Sequence, residues 1–309
     1  MTVEWLERNG AKNDRAATLR ALLNRKQAVA AVGAHDGMSA TLAKRAGFEA
    51  LYLSGAALSA SMALPDLGLL TLEDVRRAAQ QVVRASSLPL IVDCDTGFGE
   101  VLNVMHTVRE LEAVGVACIQ IEDQQLPKKC GHLNGKRLVT VDEMCRKVDA
   151  ARRAADNMVI CARTDAAAIS MDEAIARAQR YADAGAELIF VEALEKVEDI
   201  RRVRAELKAP LLANMTEFGR TPQTSLEEWS RHGYNIVIYP VSHFRVGSLA
   251  MERFYASLQA KGHVGDFLPQ MMTRADLYNV IRYHDYEALD SSIARSTIPS
   301  VPDADQSKT

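Results

Sequence analysis

Residues 88–97 read LPLIVDCDTG, a short apolar run that stops abruptly at two carboxylates and a glycine. Such a run, bounded by turn residues, is the signature of a buried strand. The spacing of two puts Asp93 and Asp95 on one face of that strand and Cys94 on the other. Beyond it, NVMHTVRELEAVG (103–115) has helical period and closes on glycine, a common helix terminator. The same unit recurs outward in both directions. Apolar runs ending in polar residues are QAVAAVGAHD (27–36), FEALYLSG (48–55), ACIQIED (117–123), MVICARTD (158–165), LIFVEA (188–193), PLLANMTE (210–217) and YNIVIYPV (234–241). Amphipathic stretches such as 72–86, 141–155, 171–185 and 225–233 lie between them. Strands without polar alternation that alternate with helices imply a parallel sheet covered on both faces. Eight such units predict an α/β fold of the (β/α)8 TIM-barrel type. The rival, an open doubly wound sheet, would carry a glycine-rich dinucleotide fingerprint in its first unit, and AVGAHDGMSA does not supply one.

A chain of 309 residues, 48% hydrophobic and 25% charged, suits one barrel, so residues 1–309 are expected to form a single domain. An N-terminal helix over about 1–25, extra C-terminal helices over about 272–295 and a polar, flexible tail over about 298–309 flank it. The net charge of −3 comes without a basic block, which argues against nucleic acid and anionic membrane as partners. The absence of a bilayer-length apolar run and of a secretory signal predicts a cytoplasmic protein. Five cysteines without CxxC spacing read as free thiols rather than a disulfide framework or zinc site.

Active sites in this fold are built from the carboxyl ends of the strands. Those ends here carry Asp36, Ser54, Asp93, Asp95, Glu122, Asp123, Arg163, Asp165, Glu192, Asn214, Thr216, Glu217, Ser242 and Arg245. Carboxylates converging on one mouth repel unless a cation sits among them. Asp93, Asp95 and Glu122 are therefore the candidate metal ligands, and a set of hard oxygens favours Mg2+, or Mn2+, over zinc. Directly after the fourth strand comes QQLPKKCGHLNGK (124–136). Lys128 and Lys129 would lower the pKa of the Cys130 thiol, while His132 and the backbone at Gly131 and Gly135 can hold substrate oxygens. Cys130 could then move a proton near neutral pH. Cys94, Cys118 and Cys161 lie in apolar strands and read as core residues, and Cys145 sits in a helix. Ser54 and Gly55 offer a hydroxyl and an N–H to an anion, and Arg163, Arg245 and Arg274 offer forks for carboxylates.

Taken in order, LYLSGAALSASMALPDLG, VDCDTGFG, IEDQQLPKKCGH, ARTDA and ANMTEFG resemble the isocitrate lyase and phosphoenolpyruvate mutase superfamily, most closely its 2-methylisocitrate lyase branch. The resemblance runs from about residue 28 to about residue 290. It implies a barrel with a helix exchanged between subunits, assembled as a homotetramer. It also implies Mg2+-dependent cleavage of (2S,3R)-2-methylisocitrate, a tricarboxylate, to pyruvate and succinate, the closing step of the methylcitrate cycle in propionate breakdown.

Carried over by position, the resemblance places Asp93 and Asp95 at the metal, with Glu122 near it through water. Ser54, Gly55 and Ala56 match the substrate-binding turn, and Cys130 with Gly131 the catalytic loop, with Lys128 and His132 beside them. Arg163, Glu192, Asn214, Met215, Thr216, Arg245 and Arg274 match substrate contacts, and Tyr52 and Asp66 match active-site positions. Lys129 departs from the arginine common in relatives, which keeps the charge and loses a bidentate fork. The implied chemistry removes the substrate's hydroxyl proton, with Tyr52, Asp66 or a metal-bound water as base, and protonates the succinate fragment from Cys130. Isocitrate, 2,3-dimethylmalate and oxaloacetate are the alternative substrates within the superfamily. The cysteine loop counts against phosphonate chemistry, and the intact site counts against a catalytically silent binding protein.

Overall fold

A computed structural model describes Val3, Leu6, residues 14–131, Leu133 and residues 135–293. The N-terminal helix expected from residue 1 is described over 15–23 only. His132 and the tail at 298–309 lie outside the described residues. The chain forms two compact units, one of Asn13–Asp266 and one drawing on Met1–Lys12 and Phe267–Thr309.

The larger unit is a closed eight-stranded parallel barrel with the strands in sequence order. Helix α1 (Arg15–Leu23) precedes β1 (Val29–Gly33), α2 (Gly37–Arg45), β2 (Ala50–Leu53), α3 (Gly55–Ser61), α4 (Leu72–Ser86), β3 (Leu90–Asp93) and α5 (Val101–Ala113). Then come β4 (Cys118–Glu122), α6 (Val141–Ala154), β5 (Val159–Thr164), α7 (Met171–Asp183), β6 (Leu188–Val191) and α8 (Val197–Glu206). The unit ends with β7 (Leu211–Asn214), α9 (Leu226–Arg231), β8 (Ile236–Tyr239) and α10 (Ser242–Lys261). In the second unit, α11 (Arg274–Val280) and α12 (Tyr283–Ile293) occupy the stretch read as C-terminal helices.

Local sequence explains the outer layer. Helix α4 starts with a capping box between Thr71 and Asp74 and buries Val75, Ala78, Ala79, Val82 and Val83, one stripe at helical spacing. Helix α6 repeats the device with Thr140 and Glu143, with acidic residues in its first turn and Arg152 and Arg153 in its last, as the helix dipole favours. Those stripes pack against the outward residues of the strands, Leu51, Val92, Ile119, Ile121, Ile160 and Ile189 among them, in one continuous core.

A second core fills the barrel lumen. It contains Ala50 and Tyr52, Ile91, Cys118, Val159 and Cys161, Leu188 and Phe190, Leu212, Ile236 and Ile238. Leu19, Leu22 and Leu23 of α1 belong to the same core, so this helix plugs the barrel floor. The Arg20 guanidinium fixes the plug by donating to both Glu187 oxygens at 2.8 and 2.9 Å and to the Asn157 carbonyl. Among the described residues, no helix is long and apolar enough to cross a membrane.

Candidate active site

Lumen-facing residues recur every second position, and continuing that phase one step past the core delivers the polar mouth. Tyr52 leads to Ser54, Ile91 to Asp93 and Asp95, Cys118 to Gln120 and Glu122, Cys161 to Arg163, Phe190 to Glu192, and Leu212 to Asn214. Tyr52, Ser54, Ala56, Asp66, Asp93, Lys128, Cys130, Gly131, Arg163, Glu192, Asn214 and Thr216 all line one cavity of about 60 Å3 at this end. At about 10–15 Å3 per ordered water, that is room for a handful of waters.

Asp93 and Asp95 converge over Gly55. A side chain at Gly55 would place its Cβ 3.2 Å from Asp93 Oδ2 and 3.4 Å from Asp95 Oδ1, so glycine keeps that space open. The Gly55 N–H donates to Asp93 Oδ2 at 3.2 Å. Asp95 takes a left-handed backbone with φ of 47°, uncommon for a residue with a side chain and typical of functional turns. Burial, and then the neighbouring Asp93, push the Asp95 carboxyl up to about 6. Lys128 supplies the compensating charge, with Nζ 2.7 Å from Asp95 Oδ1 and in contact with Asp66. The sequence cast Lys128 as an acidifier of Cys130; in the structure its ammonium serves the carboxylates.

Glu122, expected near the metal through water, has a cation of the chain beside it. Register sets Glu122 opposite Arg163, and Glu122 Oε2 lies 3.1 Å from the Arg163 Nη1 atom. Its other oxygen, Oε1, is buried with no hydrogen-bond partner among the described residues. Burial raises its pKa well above the usual carboxylate range, although Arg163 opposes the shift. Among the described residues, no three His, Cys, Asp or Glu side chains are drawn together tightly enough to coordinate an ion.

Arg163 is ringed by acids. Its Nε and Nη2 each donate to Asp165 at 3.0 Å, and Glu192 Oε2 lies 3.6 Å from Nη1. Burial works against its charge, but Asp165, Glu122 and Glu192 outweigh it and hold the guanidinium protonated. Asn214 Nδ2 donates to Glu192 Oε2 at 3.3 Å. The cysteine loop lies on this pair: a Cβ at Gly131 would sit 2.3 Å from Glu192 Cγ and 2.5 Å from Arg163 Nη2. Only glycine permits that approach, and it brings Cys130 to the cavity wall. All five cysteines are reduced thiols; Cys94, Cys118 and Cys161 are buried.

Two other candidates of the barrel unit, Met215 and Arg245, have side chains outside the cavity lining. Met215, one step out of phase, sends its side chain into the strand–helix core. Arg245, on α10, donates to the Glu217 carbonyl and carboxylate at 2.9 Å and does not line the cavity. Arg274 is an exposed residue of α11 in the second unit. Sequence reading missed Gln120, fully buried, which accepts from the Tyr52 hydroxyl at 3.0 Å and donates to Asp93 Oδ1 at 3.4 Å. Its spacing of two from Glu122 was the available signal. Burial, and then Asp93, raise the Tyr52 phenol well above its ordinary value.

A (β/α)8 barrel with acidic strand ends at its mouth and a thiol loop folded over an arginine–glutamate pair defines a class of enzymes acting on small carboxylic acids. The chain belongs to the phosphoenolpyruvate phosphomutase family, whose profile matches residues 19–259. It is 46% identical over 299 residues to a 2-methylisocitrate lyase of Bacillus subtilis (strain 168), covering 96% of this chain and 99% of that one. A 2-methylisocitrate lyase of Aeropyrum pernix is 47% identical, with 94% and 93% covered. Among solved structures, a 2,3-dimethylmalate lyase of the phosphoenolpyruvate mutase and isocitrate lyase superfamily superposes with a TM-score of 0.86. It is 35% identical, with 94% of this chain and 99% of that chain covered.

Proposed function

We propose that the chain is a divalent-metal-dependent carbon–carbon lyase that cleaves (2S,3R)-2-methylisocitrate to pyruvate and succinate. The observation that carries the reading is the thiol loop seated on Arg163 and Glu192, in a chain 46% identical to a 2-methylisocitrate lyase over nearly its whole length. The acidic cradle over Gly55 fits a cation, because two buried carboxylate oxygens share a space that any side chain would fill. Asp93 and Asp95 would hold the ion, and Glu122, whose buried Oε1 has no hydrogen-bond partner among the described residues, would stand near it through water. An all-oxygen donor set favours Mg2+, then Mn2+. A divalent ion held by these residues would supply Lewis acidity toward substrate oxygens.

The chain's own residues do the rest. Arg163 and Asn214 orient a substrate carboxylate, and the Ser54–Ala56 turn receives another. Tyr52, held neutral, acts as a hydrogen-bond donor rather than as the base. Of the chain's own candidates Asp66 lines the cavity in contact with Lys128, and it is assigned the hydroxyl proton. The alkoxide electrons then form the pyruvate carbonyl as the carbon–carbon bond breaks, and the bonding pair passes to the succinate half as an aci-carboxylate. The Cys130 thiol protonates that carbon, and the proton held by Asp66 restores the thiol. No side chain of helix α10 is fully buried, and Val246, Leu249, Met251 and Tyr255 are exposed, which supports self-association, with the homotetramer as the proposed form. Five reduced thiols suit the cytoplasm.

The test is release of pyruvate and succinate from 2-methylisocitrate, isocitrate, 2,3-dimethylmalate and oxaloacetate in parallel, with Mg2+ and with chelator. Metal-dependent preference for 2-methylisocitrate is the expected result. Faster cleavage of another acid would overturn the substrate, and full turnover in chelator would overturn the metal.

A further inference from the structure

Lys136 lies outside every role described above, and its placement is unusual for a loop lysine. Its side chain is 5% exposed and that of its partner Asp165 is 0% exposed. The ammonium donates to two groups at once: the Gly131 carbonyl and Asp165 Oδ1, the latter at 2.8 Å. Asp165 Oδ1 also accepts from Arg163 Nη2 at 3.0 Å. One carboxylate oxygen therefore joins Lys136, which holds the backbone of the thiol loop, to Arg163, on which that loop rests.

Burying a lysine is unfavourable unless it is paired and hydrogen-bonded, so a buried loop lysine marks a geometry that its partners enforce. Asp165 is itself immobilised, since its N–H donates to Asp123 Oδ1 at 3.0 Å. The loop's stem is closed independently by a bridge between Gln124 and Leu138 and by the Gln125 N–H on the Arg137 carbonyl at 2.7 Å. Lys136 is thus unnecessary for closing the stem. What it fixes is the orientation of the Gly131 peptide, and through it the adjacent Cys130.

We propose that Lys136 is a positioning residue for Cys130: it clamps the Gly131 carbonyl to Asp165, so that the thiol and Arg163 share one anchor. Only the kinetic arm of the test rests on the lyase reading. Lys136→Met and Lys136→Arg are compared with wild type by hydrogen exchange, thermal melting and steady-state cleavage. In Lys136→Met, peptides spanning 128–138 should exchange at least roughly tenfold faster while barrel strands keep their protection. Its kcat should fall about 100-fold, with KM changed less than about threefold, as expected when a proton donor is misplaced rather than binding lost. Lys136→Arg, which keeps charge and donors, should recover most of the loop protection and part of kcat. Unchanged exchange over 128–138 in Lys136→Met would overturn the clamp, whatever acid the wild type cleaves. Equal loss of protection in loop and strands, not rescued by arginine, would overturn it too by making Lys136 a general structural residue.

Discussion

At the scale of single residues, the mouth of this barrel separates carriers of charge from carriers of protons. Lys128 and Arg163 are held cationic by the acids around them, and Tyr52 is held neutral by burial. None of the three is free to exchange a proton near pH 7. The donor proposed above is a different group, the thiol of Cys130 at the cavity wall. Cys130→Ser should lower turnover by about 10^3-fold, a typical contribution of a placed general acid. Pyruvate binding, measured by calorimetry, should stay within about threefold, because the variant leaves the proposed carboxylate contacts of Arg163 and Asn214 in place. Wild-type turnover in the variant would remove the thiol from the reaction.

At the scale of elements, much of the site was legible because a strand has period two. Once Asp93 and Asp95 are assigned to the inner face, the same alternation selects Glu122, Arg163, Glu192 and Asn214 on neighbouring strands and rejects Met215. Applied strictly, it would also have found Gln120. Lys136 was not legible in this way, since its partner Asp165 follows the next strand, and loop-to-strand contacts have no sequence period. Nor was the turning of Arg245 toward Glu217, which depends on how α10 leaves β8. That junction holds a titrating element. His243, in the first turn of α10, shares a 2.8 Å hydrogen bond with His35 beyond β1. Burial, and then His35, hold its pKa down to about 4, against the opposing pull of Asp36 and Glu217. The unfolded chain therefore takes up this proton first. His243 contributes stability above pH 6.5 that is lost as the pH falls toward 4, about 2 kcal/mol after discounting for its partly open side. Urea melts of wild type and His243→Asn should converge over that interval, and a constant difference would exclude the histidine.

At the scale of the whole molecule, chemistry and stability occupy opposite ends of the barrel. The floor is sealed by Leu19, Leu22 and Leu23, whereas the mouth holds buried acids and a left-handed aspartate that local packing must sustain. Apolar side chains left uncovered along α10 call for a neighbour, so sedimentation should give a multiple of the 33.9 kDa chain, with four copies expected. A monomer at micromolar concentration would contradict the assembly. The five thiols are graded by depth: Cys94, Cys118 and Cys161 are sealed in the cores, while Cys130 and Cys145 are half-buried. With Cys145 replaced by serine, a thiol-specific electrophile such as a maleimide would meet one reachable thiol per chain. That makes it a stoichiometric titrant of competent active centres, and protection by a bound keto acid would convert the same reagent into an occupancy gauge for screening ligands.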